Sequence, residues 1–221
     1  MFKSQGGSVA RTPLSRDAIV DAAFEQLAET GLDGITARAL AGRLGVRAGA
    51  LYYHVRDMTE LTDEMATRIL RRLLDEPIPD EAAADWRELL RTSGHRIRTT
   101  LLSYRDGAKL VSGTTLLDDD ALRRLEEPVR VLAAAGMTPL DAQRALVALN
   151  ALVTGYVIEE QHRHPVPGEN RITAEARRAR LDPDEQPLQY ALSEEMATLP
   201  VDTFDWALEA LIAGIGVRVG L

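Results

Sequence analysis

The chain contains no cysteine. Disulfides, zinc–thiolate fingers, iron–sulfur clusters and a cysteine nucleophile are therefore excluded. Aromatic residues fill only 5% of its 221 positions, and lysine occurs twice, at Lys3 and Lys109, against 24 arginines. Long hydrophobic runs are missing. The apolar-and-glycine stretch at residues 210–217 is too short to span a bilayer, and the opening MFKSQGGSVARTPLSRD lacks the apolar segment of a secretion signal. A cytoplasmic protein with no membrane partner is expected. The sequence has no Gly-rich phosphate loop, no GxSxG elbow and no HExxH helix. An enzyme is not expected, and no cofactor or metal site is assigned. His162 and His164 stand near Glu159 and Glu160, but a helix end before Pro165 reads as solvated polar sequence.

What is present is 45% apolar, much of it Ala and Leu, and 27% charged. Aromatic and β-branched residues favour strands, whereas Ala and Leu favour helices. The expected fold is all-α. The 26 bases and 34 acids give a net charge of −8. That average hides an asymmetry. Residues 34–56 carry Arg38, Arg43, Arg47 and Arg56 and no acid, a charge of +4 that leaves −12 on the rest. Local charge decides whether a surface can sit on phosphates, so this pattern suits a DNA-binding module on an acidic body.

The apolar periodicity supplies the elements. Residues 1–14 read as a flexible N-terminal arm, and Lys3, Arg11 and Arg16 as charges able to touch DNA. Ser15 caps a helix over 16–29 that Gly31 ends, and Thr36 caps a second over 37–44 that Gly45 ends. A third follows over 48–53, giving a helix-turn-helix signature. A fourth over 58–75 opens at Asp57 or Thr59, and its apolar face is Leu61, Met65, Ile69 and Leu73. Pro77 and Pro79 then mark a boundary. The domains read as 15–76, a DNA-binding head including the fourth helix, and 77–221, a larger helical bundle. In the bundle, helices are expected over 85–103, 106–112, 118–135, 140–164, 188–198 and 201–218, about ten in all, with 165–187 a loop. Trp206, Leu208, Leu211, Ile212 and Ile215 should face inward in the last. Ala145, Ala148, Leu149, Leu152, Ala207, Leu211 and Gly214 fit either a core or a two-fold dimer interface. The dimer is preferred, because helix-turn-helix modules read paired half-sites.

Residues 30–63 read TGLDGITARALAGRLGVRAGALYYHVRDMTELTD. Thr36, Arg38, Leu40, Ala41, Leu44, Gly45, Val46, Gly49, Leu51, Tyr52, His54, Val55, Leu61 and Asp63 follow one extended pattern. It resembles the TetR family of bacterial transcriptional repressors. Later segments, WRELL, LLSYRDGAK and TGYVIEEQ, resemble the effector domains of the tetracycline-binding branch of that family. The resemblance implies a homodimer joined by the helices near 140–164 and 201–218. It implies release from a palindromic double-stranded operator by a small-molecule inducer. An activator, or a regulator whose ligand promotes DNA binding, is the alternative.

At the DNA end, Arg47 and Arg38 are expected to contact bases, and Arg38 matches a base-contacting arginine of the branch. Ala48, Gly49 and Ala50 permit close approach and can meet a thymine methyl. Thr36, Tyr52, His54 and Arg56 are candidates for phosphates, with the amides opening the second and fourth helices. Arg43 reads as a solvated or near-phosphate charge, and Tyr53 is assigned to the core.

At the effector end, the expected wall is Leu74, Trp86, Leu90, Ser93, Ile97, Leu101, Val111, Ser112, Thr114, Leu116 and Glu159, with Leu110, Leu117 and His95 nearby. Core packing is the competing reading of the leucines. In the tetracycline-binding branch, the positions of Leu74, Ser93 and Ile97 carry His, Asn and Phe. The position of Val111 carries the histidine that ligates the drug-bound magnesium. Valine has no lone pair to offer a metal. Glu159 matches an acid that holds metal-bound water, but one acid does not make the site. The expected effector is a flatter or more apolar molecule than magnesium-tetracycline. Arg105 and Asp106 read either as an interdomain ion pair or, for Asp106, as an ordinary helix cap.

Overall fold

The computed structural model describes residues 13–114, 119–164, 173–198 and 203–221. Every regular element among them is helical, as expected. The chain divides into two compact units, Met1–Leu61 and Thr62–Leu221. The division falls inside a continuous helix.

The first unit holds α1 (Arg16–Thr30), a 3-10 turn (Leu32–Gly34), α2 (Ala37–Leu44), α3 (Ala48–Leu51) and the first turn of α4 (Met58–Asp75). Ser15 caps α1, its Oγ accepting from the Ala18 N–H at 3.1 Å. The core is Ile19, Val20, Ala23 and Leu27 of α1, Leu40 and Ala41 of α2, Leu51 of α3, and Val55. The turn from α2 to α3 depends on Gly45, at φ 66° and ψ 33°. Glycine takes that left-handed conformation without a Cβ penalty. Val46 N–H then reaches Ala41 O at 3.0 Å and Gly45 N–H reaches Gly42 O at 3.3 Å, closing the helix end.

The third helix is shorter than the expected 48–53, and Tyr53 is 89% exposed rather than in the core. Leu51 and Val55 fill the inward positions four residues apart, so the turn residues between them face out.

The second unit contains most of α4, then α5 (Asp80–Ala84), α6 (Trp86–Leu102), α7 (Gly107–Val111), α8 (Asp119–Arg124), α9 (Glu126–Ala134), α10 (Pro139–Arg163), α11 (Ala174–Arg178), α12 (Pro187–Ala191), α13 (Ser193–Thr198) and α14 (Thr203–Val219). Its centre is α10, which packs on α6, α7, α9 and α14. Thr138 caps α10, accepting from Asp141 N–H at 3.1 Å. Where α6 crosses, a Cβ on Gly94 would lie 3.0 Å from both Leu208 methyls and 3.4 Å from a Leu149 methyl.

Several expectations need correction. The single helix over 118–135 is two, α8 and α9. Pro128 explains the break: its ring would clash with the carbonyl of Arg124, four residues back, where α8 ends. A turn of helix, α5, forms in the Pro-flanked linker, and α11 lies inside the expected loop, capped by Thr173 accepting from Ala176 N–H at 3.1 Å. Trp206 is 74% exposed, not inward. The buried stripe of α14 is Phe204, Leu208, Ile212 and Ile215, and Trp206 falls on the opposite face. Leu149 is core, and Leu211 is half-buried. Among the described residues no helix is long and apolar enough to cross a membrane.

Candidate DNA interface and effector region

The four arginines of the basic block have different surroundings. Arg43 is tied within the head. Its Nε and Nη2 donate to Gln26 Oε1 at 3.2 and 3.1 Å, Nη1 meets Glu25 at 3.2 Å, and Nη2 also reaches the Glu29 carboxylate. The hydrogen bond to Glu29 raises its pKa further above the ordinary arginine value. Arg43 is thus a strut between α2 and α1, not the solvated charge expected. Arg56 has its Nε 3.1 Å from Asp57 Oδ2. Arg16, expected in the arm, opens α1 with Nη1 2.9 Å from Glu60 Oε1 and 3.5 Å from the His54 carbonyl. Lys3 and Arg11 lie outside the described residues.

Arg38 and Arg47 are exposed, and their guanidinium groups have no hydrogen-bond or ion-pair partner among the described residues. Arg38 is in the first turn of α2, and Arg47 directly precedes α3, which packs on α2. Ala48 and Gly49 are exposed, and Ala50 is half-buried. A Cβ built on Gly49 would meet nothing within 4 Å. Nothing inside the head requires a glycine there. Tyr52 is 49% exposed and His54 half-buried. Thr36 caps α2, its Oγ1 accepting from Ala39 N–H at 3.2 Å.

The amides expected to meet phosphate at the start of α4 are partly taken. Glu60 N–H donates to Asp57 Oδ1 at 2.8 Å, and Arg56 N–H to Glu60 Oε2 at 2.5 Å. These bonds, with Arg56 beside Asp57 and Arg16 beside Glu60, hold both carboxyls below the usual carboxylate range.

In the second unit, the C-terminal end of α4 is held by polar ties. Arg96 of α6 donates to Glu76 O at 3.1 Å and Pro77 O at 2.8 Å. Arg72 donates to the Tyr104 hydroxyl at 3.3 Å, and Arg124 of α8 lies 3.3 Å from Asp75. Arg71, Asp75, Asp120, Ala121 and Arg124 line an open pocket of about 210 Å³. Exposed ion pairs are worth about 0–1 kcal/mol each. Several weak ties therefore fix this helix end.

Of the expected effector wall, Trp86, Leu90, Leu101 and Leu110 are buried, and Leu74, Ser93, Ile97, Val111 and Thr114 half-buried. Arg96 lies on the same stretch of α6 as Ser93 and Ile97, and it bonds the carbonyls that directly follow α4. The ring tip of Trp86 lies 3.5 Å from where a side chain on Gly216 of α14 would start, and the Arg87 guanidinium stacks on it at 4.3 Å. Ser112 and Glu159 are exposed. Thr114 donates to Leu110 O at 2.8 Å. His95 sits 3.4 Å from Asp205 on the surface. Leu116 and Leu117 lie outside the described residues. Asp106 occupies the N-cap position of α7 at φ 53° without a side-chain capping bond, and its carboxylate lies 3.7 Å from Lys109. No group of three His, Asp or Glu fit to hold a metal occurs among the described residues.

Sequence reading missed two arrangements. Glu160, not Glu159, turns toward α6, where Arg98 grips it at 3.0 and 2.6 Å while lying 5.0 Å over the Phe204 ring. Gln161 clips the α6–α7 turn: Nε2 donates to Leu101 O at 3.1 Å and Tyr104 O at 2.7 Å, and Oε1 accepts from Ala108 N–H at 3.3 Å. No local signal could have shown either, because the partners lie some 53 to 62 residues away.

Between α10 and α14 runs a groove of about 760 Å³, floored by Ala145, Ala148, Ala210, Leu211, Gly214 and Ile215. Asp141, Arg144 and Arg218 edge it.

A compact helix-turn-helix head joined through α4 to a helical body defines a DNA-binding regulator with a separate effector domain. Residues 19–65 match the family model "Bacterial regulatory proteins, tetR family", and residues 78–219 match "Tetracyclin repressor-like, C-terminal domain". The tetracycline repressor protein class D of Escherichia coli is 35% identical over 210 residues, covering 93% of this chain and 91% of that one. The Streptomyces coelicolor TetR family protein ActR, solved in complex with actinorhodin, superposes at TM-score 0.79 with 26% identity, over 95% of this chain and 100% of that one. A TetR variant from Acinetobacter baumannii AYE, solved with minocycline, gives TM-score 0.68 and 32% identity, over 93% and 98%. The chain belongs to the TetR family, and it is a transcriptional repressor with a DNA-binding N-terminal domain and a ligand-binding C-terminal domain.

Proposed function

We propose that this repressor works in the cytoplasm as a homodimer on a palindromic operator, and that a fused-ring small molecule other than magnesium-tetracycline releases it. The carrying observation is the division among the arginines. Arg43 and Arg56 are engaged by acids, whereas Arg38 and Arg47 extend unpaired beside α3. They are the base readers, and guanine is the partner that suits a bidentate arginine. Ala48, Gly49 and Ala50 are the close-approach surface, and Thr36, Tyr52, His54 and Arg56 flank it toward phosphates. The head spans 15–76 with α4 as its link to the effector domain, 77–221.

The small-residue groove of α10 and α14 supports the dimer, since symmetric pairs use one self-complementary patch. Minocycline and actinorhodin, bound by the relatives, are both fused-ring molecules edged with hydroxyl and carbonyl oxygens. Leu74, Ile97 and Val111 favour such a frame and offer no magnesium ligand. The ligand acts by shifting the ties that hold the end of α4.

Selection from a random duplex library tests the reading. The parent protein should recover one palindrome. Arg38→Ala should relax one base pair per half-site by ~1–3 kcal/mol. Arg43→Ala should lower the melting temperature and leave the preferred sequence unchanged. Relaxation by Arg43→Ala instead of Arg38→Ala would reverse the assignment.

A further inference from the structure

One hydroxyl of α10 is buried and unused. Thr154 is 9% exposed, and its Oγ1 has no hydrogen-bond partner among the described residues. A helical threonine commonly turns its hydroxyl back to the carbonyl four residues earlier; this one does not. A buried hydroxyl without a partner is a standing cost to the folded protein, and native structures keep few of them.

Its direction around α10 shows what it faces. Helical side chains advance by about 100° per residue. Thr154 therefore stands about half a turn from Ala145, on the floor of the α10–α14 groove, and within about 20° of Gln161. Gln161 bonds Leu101 O, Tyr104 O and Ala108 N–H. Thr154 thus lies on the side of α10 turned toward the end of α6 and α7, which carry Leu101 and Val111. It is not on the groove side.

We propose that the Thr154 hydroxyl is a polar fixture of the effector site, pairing with a hydroxyl or carbonyl oxygen on the effector's apolar frame. This rests on the fused-ring reading of the effector. An oxygen-bearing ligand supplies the partner that the protein withholds, so Thr154 distinguishes oxygenated ring systems from bare hydrocarbons of the same shape.

The test uses the full-length protein, Thr154→Val, which keeps the branched shape, and Thr154→Ser, which keeps the hydroxyl. Binding of 1,8-dihydroxyanthraquinone and of anthracene is measured, together with the melting temperature. Thr154→Val should weaken the dihydroxyanthraquinone by about 5–10-fold, leave anthracene unchanged, and melt no lower than the parent. Thr154→Ser should restore the affinity. An equal effect on both probes, or none on either, overturns the proposal. So does a fall of several degrees in melting temperature for Thr154→Val, which would reveal an internal partner. If the parent binds neither probe, the fused-ring reading fails separately, and the melting temperature decides for Thr154.

Discussion

At the exposed opening of α3, Gly49 has empty space where a side chain would begin. Alanine is favoured over glycine in a helix by about 1 kcal/mol. Gly49→Ala should therefore stabilise the head by roughly that amount and yet weaken operator binding, because the added methyl stands on the surface proposed to approach DNA. Melting curves and gel-shift titrations check the two signs. A gain in stability with unchanged affinity would show that DNA does not come close at this position. What was legible in the sequence is the basic, small-residue character of this surface. Arg38, Arg47 and the small residues after them were singled out by an acid-free block and a motif. The roles of Arg43 and Tyr53 were not. Arg43 is assigned by Glu25 and Glu29 on another helix, 18 and 14 residues back, and sequence does not print such pairings. Tyr53 is decided by where α3 ends, and a shift of two residues turns a side chain from core to solvent.

At the scale of elements, the caps were the most legible feature. Ser15, Thr36 and Thr138 each accept from the amide three residues on, a local bond written in local sequence. The start of α4 is built the same way, and it carries a pH dependence. Asp57 is held below its ordinary pKa first by the Glu60 N–H and then by Arg56; Glu60 first by the Arg56 N–H and then by Arg16. A carboxyl with a lowered folded pKa contributes stability that is complete above its unfolded pKa and is lost as pH falls through the folded one. Unfolded carboxyls titrate near ~4. The melting temperature should be flat above about pH 5 and fall below about pH 4. Glu60→Gln should show a shallower fall on the acid side. An acid limb as steep as the parent's would mean that other carboxyls govern it. Less legible were the break at Pro128 and the helices α5 and α11. Short segments have too few turns for a periodicity to emerge.

For the whole molecule, the groove of α10 and α14 makes a clear prediction. A side chain begun at Gly214 meets nothing within 4 Å among the described residues. Gly214→Arg should leave each subunit folded, halve the mass seen by analytical ultracentrifugation, and reduce operator binding to that of a half-site. A particle of unchanged mass would move the interface elsewhere. The two-part plan and the family were legible because an extended motif and two further segments carry them. The effector region was legible only in outline. The residues proposed for it come from α4, α6, α7 and α10, and a leucine facing a ligand has the same spacing as one facing a core. Trp86 shows the limit: the spacing that proposes it for the wall does not show that its ring tip lies against Gly216.

The Gln161 clip has a mechanical consequence. One side-chain amide holds three backbone groups that straddle the left-handed Asp106, so the shape of the α6–α7 turn is stored on α10 and not in the turn's own residues. A second copy seated in the groove would fix the roll of α10 about its axis, and with it the stiffness of that turn and the footing of Tyr104 beside Arg72. Pairing would then tune how sharply each subunit can respond, because a lone chain would carry the same residues on a slacker frame.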